Sequence, residues 1–281
     1  MSDKTLRYAV VGAGGFPGQH IERIDRLGPE IGCELAAVTI RPADRQPGQV
    51  EAFEGRGVEV FDDAEAMFDA LAGKVDAVFI PTSIHTHADL TCAALRRDHV
   101  IYLEKPPAAT VQEVDRMIAA EANSDGWVYL GFQAMFSESL RRAKARVVQG
   151  AIGRVQRLRC WGWAPRPDKY YQRNDWAGRT RRGDAWVLDG PMNNALAHQT
   201  AAMLYLASDR PRTFATPSAV RAELYHARDI EGHDTFAAEI RTAEGPVTTF
   251  AGTHCPASSG HEGPWIVVEG TEGRIDWRQG G

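Results

Sequence analysis

From Arg7 to about residue 130 the chain alternates short apolar runs with amphipathic stretches, and this alternation limits the fold more than any other feature. "RYAVVG", "ELAAVTI", "VDAVFIP", "VIYLEKP" and "WVYLGF" each have the length and apolar density of a buried strand. Between them lie helical patterns. Ile21, Ile24 and Leu27 recur at helical spacing after the first run. "DDAEAMFDAL" offers Asp63 as an N-cap, with Met67, Phe68 and Leu71 on one side. "HADLTCAALRR" reads as a helix, and "TVQEVDRMIAAEA" opens with Thr110 and Glu113 in capping-box register. Strands and helices alternating in this way predict right-handed βαβ crossovers and a parallel sheet covered on both faces, a doubly wound α/β domain.

After Phe132 the texture changes. "SLRRAKARVVQGAIG" and "PMNNALAHQTAAMLYLAS" read as helices, while "RVQRLRCWGW", "DTFAAEIRT", "PVTTFAGT" and "WIVVEG" read as strands. They predict a second, α+β domain on an open, mostly antiparallel sheet. The expected division is 1–131 and 132–281 without a flexible linker, and a cleft between the domains is the expected ligand site. With 281 residues, 43% of them apolar, the chain is long enough to bury one or two cores. A net charge of −5 with mixed signs lacks the basic stripe that nucleic-acid binding needs. The absence of a signal-like start or a bilayer-length apolar run reads as soluble and cytoplasmic, with no membrane partner. Cys33, Cys92, Cys160 and Cys255 lie far apart with no CxxC pair, so buried free thiols are expected rather than disulfides or zinc.

The stretch "VVGAGGFPGQH" joins the first strand to the first helix. Gly12 and Gly14 match the first two glycines of a dinucleotide fingerprint; Pro17 stands where the third belongs, and Gly18 follows one place late. Glycines admit a pyrophosphate close to backbone N–H groups, the helix N-terminus adds a favourable dipole, and proline is tolerated in a first helical turn. Gly12, Gly14, Gly15, Phe16 and Pro17 are the expected cofactor contacts, the alternative being a tight turn with no ligand. At the end of the next strand, "VTIRP" places Ile40 where an acid usually holds the ribose 2′-hydroxyl, and Arg41 follows. Arg41 would pair with a 2′-phosphate, which predicts NADP(H) over NAD(H); the alternative is a solvated loop arginine.

Three further stretches, "PTSIHTHADL", "YLEKPPA" and "GFQAMF", each follow a strand of the same series. Together with the glycines they make the chain resemble the Gfo/Idh/MocA family of sugar and polyol dehydrogenases. Glu104, Lys105 and Pro106 match that family's most diagnostic motif. Thr82, His85 and His87 match another, with Ser83 replacing its proline. The resemblance spans essentially the whole chain and says little about the substrate. It implies that Thr82 and His85 line the nicotinamide side and that Lys105 holds the reacting oxygen, where an ammonium stabilises a developing alkoxide. Glu104 would orient Lys105 or the nicotinamide ribose, and a cis peptide before Pro106 fits the paired prolines. His87 is read as capping a helix that begins at Ala88. No third ligand stands beside the two histidines, so no metal is expected.

In the second domain the family has an aspartate and, four residues later, a proton-accepting histidine. Here the pair is Asp189 and Asn193, and an amide cannot take that proton near neutral pH. His198, on the presumed helix and four residues after Asn194, is either a displaced base or a core histidine. Lys105 is the alternative acid/base if burial lowers its pKa. The stretch "WGWAPRPDKYYQRNDWAGRTRRGD" concentrates aromatic residues and arginines. It predicts a substrate loop for a carbohydrate or cyclic polyol, including an acidic one, with Tyr170, Arg173, Asn174 and Trp176 as contacts; a subunit interface is the alternative. Family members continue past the strands of "VVEGTEGRIDW", whereas this sequence stops at Gly281, as a shortened variant or an incomplete sequence. Uncovered edge strands favour a homo-oligomer, dimer or tetramer, through the C-terminal sheet. The expected function is NAD(P)-dependent hydride transfer to or from a sugar, an inositol or a related polyol. A cofactor-borrowing glycosidase and a catalytically silent NAD(P)-binding regulator are the alternatives.

Overall fold

A computed structural model describes residues 4–256 and 265–278. The chain divides into two compact units, Met1–Gly131 and Phe132–Gly281.

In the first unit the elements run β1 (Leu6–Val10), α1 (Gly15–Ile31), β2 (Cys33–Thr39), α2 (Gln49–Glu54), β3 (Glu59–Phe61), α3 (Ala64–Leu71), β4 (Ala77–Ile80), α4 (Ile84–Leu95), β5 (Ile101–Leu103), α5 (Val111–Glu121) and β6 (Val128–Leu130). The six strands are all parallel, in the order β3-β2-β1-β4-β5-β6. The chain builds outward from β1 to β3 and then returns to place β4 on the other side of β1. The switch point of the sheet therefore lies between β1 and β4, and in such sheets ligands bind beyond the carboxyl ends of the strands there. One face packs Met67, Phe68 and Leu71 of α3 and Ala93 and Leu95 of α4 against Val78, Ile80, Ile101 and Leu103. The other buries Ile21 and Ile24 of α1 against Val10 and Val38.

Local signals explain the element ends. Asp63 accepts the Ala66 N–H at 2.8 Å, and Thr110 and Glu113 exchange both hydrogen bonds of the capping box. Two expectations fail. Leu27 is 38% exposed: the buried stripe of α1 is His20, Ile21, Ile24 and Gly28, and a Cβ at Gly28 would stand 2.3 Å from the Cys33 carbonyl oxygen. Backbone contact thus closes that end of the helix, and Leu27 is left at the margin of the stripe. Nor does His87 cap a helix starting at Ala88. α4 starts at Ile84, putting His85 and His87 inside its first turn. The His87 ring is buried, with Nδ1 2.8 Å from the Pro106 carbonyl oxygen and Nε2 3.1 Å from that of Thr82.

The second unit contains α6 (Glu138–Val148), β7 (Val155–Trp163), α7 (Asp168–Tyr171), β8 (Arg181–Arg182), β9 (Ala185–Trp186), α8 (Ala197–Ala207), β10 (Pro217–Tyr225), β11 (Thr235–Thr242), β12 (Val247–Thr253), β13 (Trp265–Gly270) and β14 (Arg274–Arg278). Its main sheet has the order β10-β11-β12-β7-β13-β14, in which only β12 and β7 run parallel. Leu140 and Val147 of α6 and Met203 and Leu206 of α8 share one core with Leu158, Phe236, Phe250, Ile266 and Trp277 of the sheet. Buried Lys144 closes the end of α8 by donating to the Ser208 carbonyl at 2.6 Å. Every residue of β10 is exposed.

Here two helices are shorter than their patterns. α6 stops at Val148, and "PMNNAL" forms turns, so α8 begins only at Ala197. Proline and paired asparagines favour such turns. Asn193 and Asn194 each donate backward, to the Leu188 carbonyl at 3.2 Å and to Asp189 Oδ1 at 2.9 Å. Asn194 therefore lies outside the helix and shares no helical face with His198. Cys33, Cys92 and Cys160 are free and buried, but Cys255 is only half-buried, beside Arg228.

Candidate cofactor and substrate residues

The glycine turn leaves β1 directly at the switch point. Gly12 has φ 95°, a conformation costly for any side chain, and a Cβ there would lie 2.9 Å from Pro17 Cγ. Its N–H donates to Thr39 Oγ1 at 2.7 Å, tying the turn to β2. Gly18 takes over the close approach that a glycine at position 17 would have made: its Cβ would sit 3.2 Å from the Ala13 carbonyl oxygen. A Cβ on Gly14 or Gly15 would meet nothing within 4 Å. The α1 N-terminus has no side-chain cap on Gly14 and no acid in its first turn. An open glycine cradle before an uncapped helix end fits a pyrophosphate, with the N–H groups of Gly15 and Phe16 as donors. Pro17, third in the helix, contributes none.

On the same edge of the sheet, β5 ends in the Glu104–Lys105–Pro106 motif, and the Lys105–Pro106 bond is cis. Glu104 is buried, with Oε1 3.2 Å from His20 Nε2 of α1 and 3.3 Å from the Tyr102 hydroxyl, which donates to it. Oε2 accepts the Lys105 N–H at 3.1 Å. Burial pushes this carboxyl up, but His20 and the Lys105 N–H outweigh it and hold Glu104 below the usual carboxylate range. Tyr102 also stacks between Phe79 and Tyr129, at 4.9 and 5.8 Å, under the tilted ring of His20. The contact between His20 and Glu104 thus joins the helix of the glycine turn to the motif after β5. Lys105 and His85 are half-buried, and Thr82 Oγ1 pairs with Thr86 Oγ1 at 2.8 Å. Arg41 is three-quarters exposed and donates to Asp44 at 2.5 Å.

In the second unit, Asp189 is 2% exposed and both of its oxygens are engaged, Oδ2 by the Gly178 N–H at 2.8 Å and Oδ1 by Asn194. His198 is buried in α8, edge-on to Phe132 at 5.8 Å. Tyr170 and Arg173 do come together: Nη2 of the arginine donates to the Tyr170 hydroxyl at 3.0 Å, and its guanidinium lies 4.0 Å from the tyrosine ring and 5.2 Å from that of Trp176. The oxygen of Asn174 is committed to the turn, accepting the N–H groups of Trp176 and Ala177. Next to Tyr170, Tyr171 lines a cleft of about 650 Å³ with Gln172, Arg179, Arg228 and Glu231.

Sequence reasoning passed over His20, Tyr102 and His254. His20 closes the quoted glycine stretch and falls on the buried face of α1, a signal that was available. His254 carries no motif. It is 2% exposed, and burial together with the charge of Arg166 pulls its pKa down to about 3. Neutral His254 shares a hydrogen bond of 3.0 Å between Nδ1 and the Tyr171 hydroxyl.

Comparison with known proteins follows the same division. A family model described as "Oxidoreductase family, NAD-binding Rossmann fold" matches residues 6–132, and one described as "GFO/IDH/MocA C-terminal domain" matches residues 140–276. The chain is 27% identical over 211 residues to inositol 2-dehydrogenase of Klebsiella pneumoniae, covering 74% of this chain and 56% of that one. It is 29% identical over 163 residues to myo-inositol 2-dehydrogenase of Thermotoga maritima, covering 58% and 46%. The chain thus spans about half the length of the curated relatives it matches. The WlbA dehydrogenase of Bordetella pertussis, solved with NADH and UDP-GlcNAcA, shares its fold at a TM-score of 0.81 and 22% identity, covering 97% of this chain and 79% of that one.

Proposed function

Because the chain belongs to the Gfo/Idh/MocA oxidoreductase family, we propose that it transfers hydride between a nicotinamide dinucleotide and a hydroxyl- or carbonyl-bearing carbon of a sugar, an inositol or a related polyol. The observation that carries this reading is the His20–Glu104 contact, which ties the uncapped glycine turn to Lys105 at the switch point of a parallel sheet. When bound, the cofactor accepts or returns the hydride. The N–H groups of Gly15 and Phe16 hold the pyrophosphate, and Gly12 and Gly14 leave room for it. Thr82 and His85 flank the nicotinamide. Glu104 fixes the backbone at Lys105, whose ammonium hydrogen-bonds the substrate oxygen, steadies its developing negative charge and exchanges its proton.

Asp189, Asn193 and His198 are the second unit's contribution to the substrate. Asp189 and Asn193 act by holding the 176–194 segment in place, since their side chains already bond to it. Arg41 favours NADP(H): its ion pair with Asp44 is exposed and cheap to release, which leaves the guanidinium for a 2′-phosphate. A second copy covers the exposed β10 edge, giving a homo-oligomer. The test of the central assignment is Lys105→Met assayed with a panel of sugars and inositols. Loss of turnover by at least about a hundredfold with unchanged cofactor affinity is expected; unchanged turnover removes Lys105 from the chemistry. Cofactor binding by the parent without turnover on any member favours the silent regulator.

A further inference from the structure

We propose that Arg166 and Arg173, set against the ring of Tyr170, form an anion clamp, so that the substrate is a cyclic polyol or sugar bearing a carboxylate or phosphate. The proposal rests on the oxidoreductase reading for which carbon reacts. Its own support lies in the second unit. The Arg173 and Arg166 guanidinium carbons stand 4.0 and 4.8 Å from the centre of the Tyr170 ring. Among the described residues neither forms an ion pair, whereas nearby Arg228 pairs with Asp168 at 2.8 Å and Asp234 at 3.8 Å.

Unpaired buried nitrogens lie around the same ring. Arg166 Nε is buried and makes no hydrogen bond among the described residues. The same holds for Nε2 of His254, whose ring centre is 6.2 Å from that of Tyr170. Buried N–H groups are almost always paired, so the orphaned Arg166 Nε, with a second unpaired nitrogen near the same ring, points to an absent acceptor. Asp189, whose charge also reaches Tyr170, does not serve, because both of its oxygens are engaged. Both guanidinium groups lie over the Tyr170 ring, and a planar fork matches the oxygens of a carboxylate or phosphate.

The experiment uses the full chain with NAD⁺ and NADP⁺ present, and calorimetry with D-glucuronate, glucose 6-phosphate, D-glucose and myo-inositol, with turnover followed in parallel by reduced-nicotinamide absorbance. At least about tenfold tighter binding of one anionic sugar than of D-glucose is expected, and which one distinguishes carboxylate from phosphate. Arg166→Met and Arg173→Met should each reduce that preference severalfold, while Arg173→Lys keeps part of it. Cofactor affinity and melting temperature report whether each variant is folded. Equal binding of D-glucose, no binding of either anion, or a preference that survives both methionine variants overturns the clamp. So does a change confined to oligomeric state, which would mark the arginines as interface groups. Failure of cofactor binding or turnover counts against the oxidoreductase reading alone, since the anion titration is also run without cofactor.

Discussion

At the scale of single residues, the side chain that organises the first unit is Glu104, and no periodicity reveals why. The Glu-Lys-Pro triplet is visible in the sequence, but its three partners are assembled by the fold: His20 from α1, the Tyr102 hydroxyl and the Lys105 N–H. Its carboxyl is held below the usual range, so its ionised form contributes stability above the unfolded-state pKa of about 4.3, and that contribution fades as pH falls through the lower folded value. Glu104→Gln should therefore show a urea midpoint below the parent's near neutral pH, with the gap narrowing in acid. A gap that stays constant with pH would show that the carboxylate charge contributes nothing. Asp189, Asn193 and Asn174 show the opposite case. Their types are right for holding substrate hydroxyls, yet their polar atoms bond to their own loop. A sequence shows which side chains can donate or accept; it does not show which groups have already been claimed.

At the scale of elements, strands and caps were legible and helix ends were less so. The places of most strands, the Asp63 cap and the Thr110–Glu113 box follow from spacing and side-chain chemistry that act within a few residues, whereas the strands themselves are shorter than their apolar runs. α4 starts four residues earlier than its polar residues suggest because His85 and His87 are absorbed into the first turn of a helix buried nearly all round. α8 starts later because its asparagines fold back on Leu188 and Asp189. β10 carries the alternation of a strand, Val220, Ala222 and Leu224 with Arg221 and Glu223 between them, yet all of it is exposed and it buries no apolar face. The strand–turn–helix unit around Gly12 has the sharpest consequence. At φ 95° and 2.9 Å from Pro17, an added methyl group costs on the order of 1–3 kcal/mol and shifts the turn. Gly12→Ala should lower the melting temperature and weaken dinucleotide affinity together, whereas Gly14→Ala, in open space, should spare stability. Equal stability losses in the two variants would contradict this account of the turn.

At the scale of the whole molecule, the chain pairs a doubly wound sheet with an open mixed sheet, as the change in texture after Phe132 implies. Among the described residues no helix is long and apolar enough to cross a membrane. The open sheet ends in β10, which exposes Val220, Leu224 and Tyr225 on a strand with one free edge. Light scattering should find a dimer or tetramer, and Val220→Glu with Leu224→Glu should dissociate it; a monomeric parent would refute the covered edge. The claim beneath all the rest is that the Gly12–Phe16 turn binds the diphosphate of a nicotinamide dinucleotide. Titration calorimetry with NAD⁺, NADH, NADP⁺ and NADPH tests it most directly. The account predicts saturable one-site heat with at least one of the four, abolished or much weakened in Gly12→Ala. No heat from any of them, or equal affinity in the variant, would contradict it.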